Sequence, residues 1–392
     1  WPSYVALLAT RILNNVILLP IEAESQDTAL RIFSTLNDRG LPLADADIFK
    51  SQFYKHFSSL GRKDEFIERW KALEETAADI FHPAVGTPMD ELFTRYMYYR
   101  RACKHIHSTT TQSLRDFFGQ DSYKMLKSEE SLVDLEVLLD FWKRVDRQEG
   151  FSDRVLRELF ALNYAPNGMW TYLLSVWFLA NHDEDGSCDE AALYDFLRLI
   201  TGFIYAYSME RPGVNALRVP VFPQMERIVD HKPVEFSAYC FGREDIASRF
   251  RAYAFTNQRR FTRSMLVWWA FQNPKQKLMS LDTRLEIEHI YAKKRTETAP
   301  LSDPSKIEAL GNKAMLEKHV NIRASDYRFN DKKKYYEGFV NDKGVEKVGT
   351  NNEELLELAR TREDFTEGDI TNRTDEIIGS FVDYLGALDL LK

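Results

Sequence analysis

Cysteine is scarce in this chain of 392 residues: Cys103, Cys188 and Cys240 lie far apart, with no Cys-x-x-Cys pair. That spacing gives neither a disulfide framework nor a zinc ribbon, and it suits a reducing cytoplasm. Long apolar runs are missing too. The longest uncharged apolar run, Met169 to Ala180, is too short to span a bilayer. No charged, apolar and cleavable segment of a secretory leader opens the chain, and no membrane partner is expected. Repeats of fixed period and low-complexity tracts are absent. Positive charge is in short supply as well: the net charge of −8 argues against indiscriminate coating of nucleic acid. What remains is 44% hydrophobic and 29% charged, an ordinary globular composition with length for two or three domains. The chain opens at Trp1 rather than Met, which reads as a piece of a longer protein.

Apolar spacing of three and four dominates from Arg62 to Phe271, where Val/Ile alternation is rare. Leu132, Leu135, Leu138 and Leu139 are one such set, and Leu193, Phe196, Leu197 and Ile200 another. This predicts a helical bundle, interrupted near 83–88, 165–168, 183–187 and 212–223. Met169–Ala180, with Trp170 and Trp177, should be a helix buried on most sides. Before the bundle, Leu7 to Leu19 reads as a short apolar helix or a helix running into a strand. Gln26 to Asn37 reads as a helix ended by Gly40, and Asp45 as the N-cap of a helix through Phe57. After Asn273-Pro274 the texture changes. Leu285 to Tyr291 alternates like a strand, Gly311 to Leu316 suggests a second, and Asn321 to Tyr336 reads as a basic helix. A mobile loop over 338–352 and two closing helices, near 353–360 and 369–385, complete the chain. The fold class expected is mainly α, a helical bundle with a small C-terminal strand–strand–helix unit.

Chemistry concentrates in that unit. Glu288 stands beside His289, Asn312 and Asn321 follow, and Lys332-Lys333-Lys334 lies on the basic helix. Glu288 and an Asn carbonyl are hard oxygen ligands of the kind Mg²⁺ or Mn²⁺ takes. A neutral imidazole at His289 can accept a proton from water attacking a phosphate. Between Arg284 and Lys343 there are 13 Lys/Arg against 10 Asp/Glu, a locally basic segment on an acidic chain. Lys293, Lys294, Lys333 and Lys334 are the candidate DNA contacts. Each feature alone has a plainer reading: His289 as a core histidine on a strand, the lysine run as a solvated helix face. Elsewhere, Cys103, His105 and His107 could suggest a metal, although i and i+2 positions on a helix diverge. Arg95 to Arg101 with Tyr96, Tyr98 and Tyr99 could be a basic-aromatic nucleic-acid surface, or a helix whose tyrosines pack and whose arginines form ion pairs. Arg259, Arg260 and Arg263 could be a DNA-facing row or ordinary surface.

Taken in order, these residues resemble the HNH (ββα-metal, His-Me finger) domain of GmrSD-type, modification-dependent restriction endonucleases. The resemblance rests on Glu288-His289-Ile290, Gly311-Asn312 with Leu316, Asn321, Phe329, Lys332-Lys333 and Tyr335, then Ile370, Arg373 and Ile377. Where the family has His-Ile-x-Pro, this chain has Ala292 at the last position. The interval from Asn312 to Asn321 also looks like that of the HNH domain in CRISPR effector nucleases. The resemblance implies His289 as general base, Glu288 and Asn321 as metal ligands, and Asn312 as a further catalytic or loop-bracing residue. Ile32-Phe33, Leu36 to Gly40, Leu43, Asp47 and Lys50 are similar to the end of the family's ParB-like partner domain. That domain binds nucleotide through an Asp-Gly-Gln-Gln-Arg motif absent here. Asn37 and Arg39 are its implied nucleotide-side residues, and an NTP would act through the rest of that domain.

The domains expected are thus 1–60, the remnant of the ParB-like domain; 61–275, helical; and 276–392, the HNH nuclease. The function implied is metal-dependent cleavage of foreign, modified DNA in antiviral defence, with a homodimer as the arrangement suited to double-strand cuts. The alternative is a regulatory module that senses nucleotide or modified DNA without cutting. RNA is a third substrate class open to the same chemistry.

Overall fold

A computed structural model describes residues 2–17, 22, 28, 32 and 44–392. The principal helices are α1 (Pro2–Asn15), α2 (Asp45–Ser59), α3 (Lys63–Ile80), α4 (Pro88–Cys103), α5 (Leu114–Phe118), α6 (Glu129–Arg147), α7 (Asp153–Asn163), α8 (Met169–Asn181), α9 (Glu190–Glu210), α10 (Val214–Val229), α11 (Arg243–Ala252) and α12 (Arg260–Gln272). Then come β1 (Leu285–His289), β2 (Lys313–Glu317), α13 (Lys318–Ala324), α14 (Phe329–Glu337), β3 (Gly338–Val340), β4 (Glu346–Val348), α15 (Glu353–Thr361) and α16 (Glu367–Gly386). The protein is mainly helical. No helix among the described residues is long and apolar enough to cross a membrane.

Helix α8 shows why the bundle holds. It carries no charged residue, and Met169, Trp170, Leu173, Leu174 and Val176 to Leu179 are all buried where it packs on α4 and α10. Burial of one such side chain stabilises the fold by about 1.5–3 kcal/mol, so this helix anchors the body. Its neighbour α4 starts with a capping box between Thr87 and Asp90. Asp90 also accepts from the Ala46 backbone N–H at 3.0 Å. It therefore serves the start of α2 as well, where Asp45 was expected as the cap; Asp45 makes no cap bond and pairs with Arg115 instead.

Other elements depart from expectation for local reasons. Helix α10 runs straight through Pro220 and Pro223, where a break was expected. Its apolar face, with Leu217, Val221, Met225 and Ile228 buried, outweighs the two backbone donors lost to proline. The basic helix expected from Asn321 to Tyr336 is two helices, because Ser325 adopts φ 43° and turns the chain between α13 and α14. The loop expected over 338–352 contains the β3–β4 hairpin. Its turn is built by Asn341, whose side-chain oxygen accepts from the N–H groups of Lys343 and Val345, and by Gly344 at φ +73°. The helix expected at Gln26–Asn37 and its Gly40 cap lie mostly outside the described residues. The first segment is described as α1, with Leu7, Leu8, Ile12 and Leu13 exposed.

The β1–β2 pair is the wall between two cores. It is antiparallel, with Leu285 opposite Glu317, Ile287 opposite Met315, Glu288 opposite Ala314 and His289 opposite Lys313. Side chains alternate across a strand. Ile287 and Met315 therefore join the large helical core, whereas Ala314 and Leu316 join a second core with Val320, Phe329, Tyr336 and Leu355. Helix α16 spans both, with Ile370 in the small core and Ile377, Ile378 and Phe381 in the large one.

Candidate active site on the β1–β2 pair

The strand period decides which candidate residues meet. His289 lies on the face turned to the helical body, with the side chains of Lys313 and Glu308. Its ring is only 12% exposed, and Nε2 stands 3.7 Å from Glu308 Oε1. Nε2 is buried and has no hydrogen-bond partner among the described residues. Glu308 is held by two lysines, accepting from Lys293 Nζ at 2.6 Å and from Lys313 Nζ at 2.5 Å. Lys313 is fully buried and donates also to Asn257 Oδ1, at 2.6 Å, in the loop between α11 and α12.

Burial, reinforced by the charges of Lys313 and Lys293, pushes the His289 imidazole down to about 3, so the ring is neutral at physiological pH. Burial also lowers Lys313, against the pull of Glu308. Burial would raise Glu308, but the bonds from Lys293 and Lys313 outweigh it and hold the carboxylate ionised. The result is a neutral base beside an ionised carboxylate, with the exposed ammonium of Lys293 where an anion could approach and that of Lys313 buried.

Glu288 lies on the opposite face. It is 3% exposed, and its Oε1 accepts from Lys332 Nζ at 2.6 Å and from Tyr336 OH at 2.7 Å. Lys332 donates also to the His289 carbonyl at 2.7 Å, tying α14 to the end of β1. Burial pushes the Glu288 carboxyl up against the pull of Lys332, and drives Tyr336 well above its usual value. Asn321, within α13, donates through Nδ2 to Glu286 Oε2 at 2.9 Å. Glu288 and Asn321 thus belong to two separate contacts, neither on the His289 face. As a donor set for Mg²⁺ or Mn²⁺ they do not fit: the Glu288 oxygen already serves an ammonium and a phenol, and Asn321 turns its NH₂ to a carboxylate. Among the described residues no three His, Cys, Asp or Glu side chains gather as a metal site.

Asn312 is fully buried and spends its side chain on backbone. Its Oδ1 accepts from Tyr291 N–H at 2.7 Å, and Nδ2 donates to the carbonyls of Tyr291 and Ile307. It fixes the chain leaving β1 rather than reaching the His289 ring. Beside it, a Cβ on Gly311 would stand 2.1 Å from the Ile370 carbonyl oxygen, so only glycine lets the turn before β2 lie this close to α16. Arg373 completes the brace: its Nη1 donates to the carbonyls of Gly311 and Lys313, and it forms an ion pair with Glu354.

Lys293 and Lys294 are exposed on the short turn after β1. Lys333 is half-buried and donates to the Arg362 carbonyl, and Lys334 is exposed beside the Tyr335 ring. Arg295 binds Asp364, so the 362–365 loop touches both basic segments. Asn37 and Arg39 lie outside the described residues. The basic-aromatic helix resolves as core: Tyr96 is fully buried, and Arg95 and Arg101 nearly so. His105 and His107 face Glu226, at 3.8 and 3.1 Å, and His105 also faces Asp230 at 3.4 Å.

Sequence reasoning missed Glu308, Lys313 and Tyr336, and it named Lys332 only as part of the basic run, not as the partner of Glu288. Register could have supplied Lys313, since two antiparallel strands put one residue opposite His289. The others come from turns and helices whose docking no local pattern announces.

The fold and site define a mainly helical protein whose small sheet presents a neutral histidine among lysines. Residues 244–380, about a third of the chain, match the family of GmrSD restriction endonucleases, C-terminal domain. The matched segment runs from within α11 to within α16 and holds every residue of the two faces just described, Asn257 included. No curated protein matches the chain.

Proposed function

We propose that the chain is a restriction-type DNA endonuclease that hydrolyses phosphodiester bonds, with His289 as general base. The observation that carries this reading is the buried, uncommitted Nε2 of His289 facing Glu308 and flanked by Lys293 and Lys313, inside the segment similar to restriction endonucleases. As water attacks phosphorus, its proton moves to Nε2 and the bond from phosphorus to the leaving oxygen breaks. Glu308 then stabilises the imidazolium that forms. Lys293 and Lys294 meet the phosphates nearest the cut, and Lys333 and Lys334 meet the strand further along.

The order β1, β2, then α13 and α14 supports an HNH-type reading of residues 276–392, carried by the helical body of 61–275. The family resemblance makes Mg²⁺ or Mn²⁺ the expected cofactor. Glu288 and Asn321, engaged with Lys332, Tyr336 and Glu286, do not fit as its donor set in this arrangement. Foreign, modified DNA is the substrate that the resemblance implies, in the cytoplasm, with nucleotide acting through a further domain. One observation favours the second reading, a sensing module that does not cut: the Glu288–Lys332 pair closes off the carboxylate that the family's chemistry uses.

The experiment is cleavage of plasmid and modified phage DNA with Mg²⁺, Mn²⁺ or chelator, beside His289→Ala. Removal of a general base should slow cutting by about 10²–10⁴-fold with DNA binding intact. Cutting retained in the variant would remove His289 from the mechanism. Binding without cutting by the unaltered protein would establish the sensing module.

A further inference from the structure

A cavity of about 140 Å³ lies in the helical body, away from the β1–β2 pair. Its walls are aromatic, with Phe81, Trp142, Phe160 and Trp170 among them. Arg95 also lines it, clamped between two rings, its guanidinium 4.4 Å from the Phe81 centroid and 4.0 Å from that of Trp142. The clamp is rigid because Trp142 is itself fixed, donating through Nε1 to Ser175 Oγ at 2.9 Å. Arg95 Nε donates to Glu91 at 2.9 Å, but Nη1 is buried with no partner among the described residues. A charged donor held this firmly and left unmatched in an aromatic site is costly unless something accepts from it. The mouth is polar: Asp146 and Asn163 are exposed there, and Thr171 is half-buried.

Size, charge and hydrogen bonding narrow the occupant. An apolar cavity of about 150 Å³ holds one benzene, so the enclosed space here suits a single six-membered ring better than two fused ones. Glu91 already offsets the Arg95 charge, and Asp146 at the mouth repels anions, so the ligand is uncharged. It needs an acceptor for Arg95 and a donor for Asp146 or the Asn163 carbonyl. We propose that this cavity binds one planar, uncharged six-membered heterocycle with both an acceptor and a donor, the chemistry of a pyrimidine base. The base comes either free, as a nucleobase or nucleoside, or swung out of a nucleic-acid strand. Neither source rests on the endonuclease reading.

One wall belongs to the segment that leads into β1. Leu281 lines the cavity, and Gln148 pins that segment by donating to the Met279 carbonyl at 2.9 Å and accepting from Leu281 N–H at 3.0 Å. An occupant would therefore rest against the chain four residues before β1 begins.

The test is equilibrium dialysis of the full chain with cytosine, uracil, adenine and toluene, repeated on Arg95→Met and Asn163→Trp. The expected result is one saturable site for the two pyrimidines, with adenine and toluene at least about tenfold weaker. Arg95→Met should weaken pyrimidine binding by at least about tenfold, the worth of one hydrogen bond from a charged donor. Asn163→Trp, at an exposed position, should block the mouth without disturbing the core, and it decides the matter if Arg95→Met fails to fold. Absence of pyrimidine binding, binding that survives the folded variants, or toluene bound as tightly as cytosine would each overturn the proposal. Competition with cytosine by an oligoadenylate carrying one cytidine identifies a strand as the source. Binding of cytidine without such competition identifies the free nucleoside. Either supports the site.

Discussion

Replacing Lys332 with methionine isolates the contact that sets the two faces of β1 apart. The substitution keeps most of the length of the side chain and removes its charge. Glu288 would be left ionisable in a site where it is 3% exposed, with Tyr336 as its remaining partner. Loss of one member of a buried ion pair costs about 3–5 kcal/mol, because the survivor keeps its desolvation penalty. The bond from Lys332 to the His289 carbonyl is lost as well, but it lies within that range. In the double variant Glu288→Gln, Lys332→Met no charge is stranded and the Gln oxygen still accepts from Tyr336. Its cost should fall to about 1 kcal/mol. The assay is native-state hydrogen exchange, read at the amides of 285–289 and 313–317, which reports the local opening free energy of the pair rather than of the whole chain. The single variant should exchange faster by at least about a hundredfold, and the double variant should recover most of that protection. Single and double variants that exchange alike would refute the reasoning. So would protection of β1 by added Mg²⁺ that disappears in Glu288→Gln, because Glu288 would then be a ligand held ready for the ion.

Gly311→Ala should cost about 3 kcal/mol and loosen α16, because its Cβ would meet the Ile370 carbonyl oxygen at 2.1 Å and Thr374 Oγ1 at 2.4 Å. An unchanged melting temperature would mean that the turn before β2 and the helix can separate freely there. Glu158 supplies the pH dependence. Burial pushes its carboxyl up to about 7, against the opposing charges of Arg198 and Arg157. A carboxyl raised on folding adds stability below the unfolded value, near 4.5, and loses it as pH climbs through the folded value near 7. Glu158 keeps some solvent contact, so the loss is about 1–3 kcal/mol. Glu158→Gln should therefore gain stability relative to the unaltered protein between pH 5 and pH 8, and a difference independent of pH would contradict the assignment.

Some of this was legible in the sequence because it depends on local periodicity. The apolar spacing of α6 and α9, the uncharged run of α8 and the alternation from Leu285 predicted helix, helix and strand where those elements stand. The strand period alone also implied that Glu288 and His289 point to opposite faces, a consequence that conflicts with assigning them to one site. The helix through Pro220 and Pro223 and the β3–β4 hairpin were not legible. In the first, the packing of one face overrode two local breaks; in the second, side-chain bonds from Asn341 made a turn from what reads as a polar stretch.

The sequence by itself determined the mainly helical character, the strand that bears His289, and the basic balance around it, since each follows from residues near one another in the chain. Tertiary structure alone decided the company each charged group keeps. Lys332 is as basic as Lys333 and Lys334, yet it is buried against Glu288 because α14 docks that side inward. Arg95 looks like surface until Phe81 and Trp142, from other elements, close over it. Glu308 reaches His289 only because β2 folds back on β1 and carries the preceding turn with it. A charge's partner and its exposure depend on groups distant in sequence. No periodicity encodes them, and they separate a buried ion pair from a base with a free nitrogen.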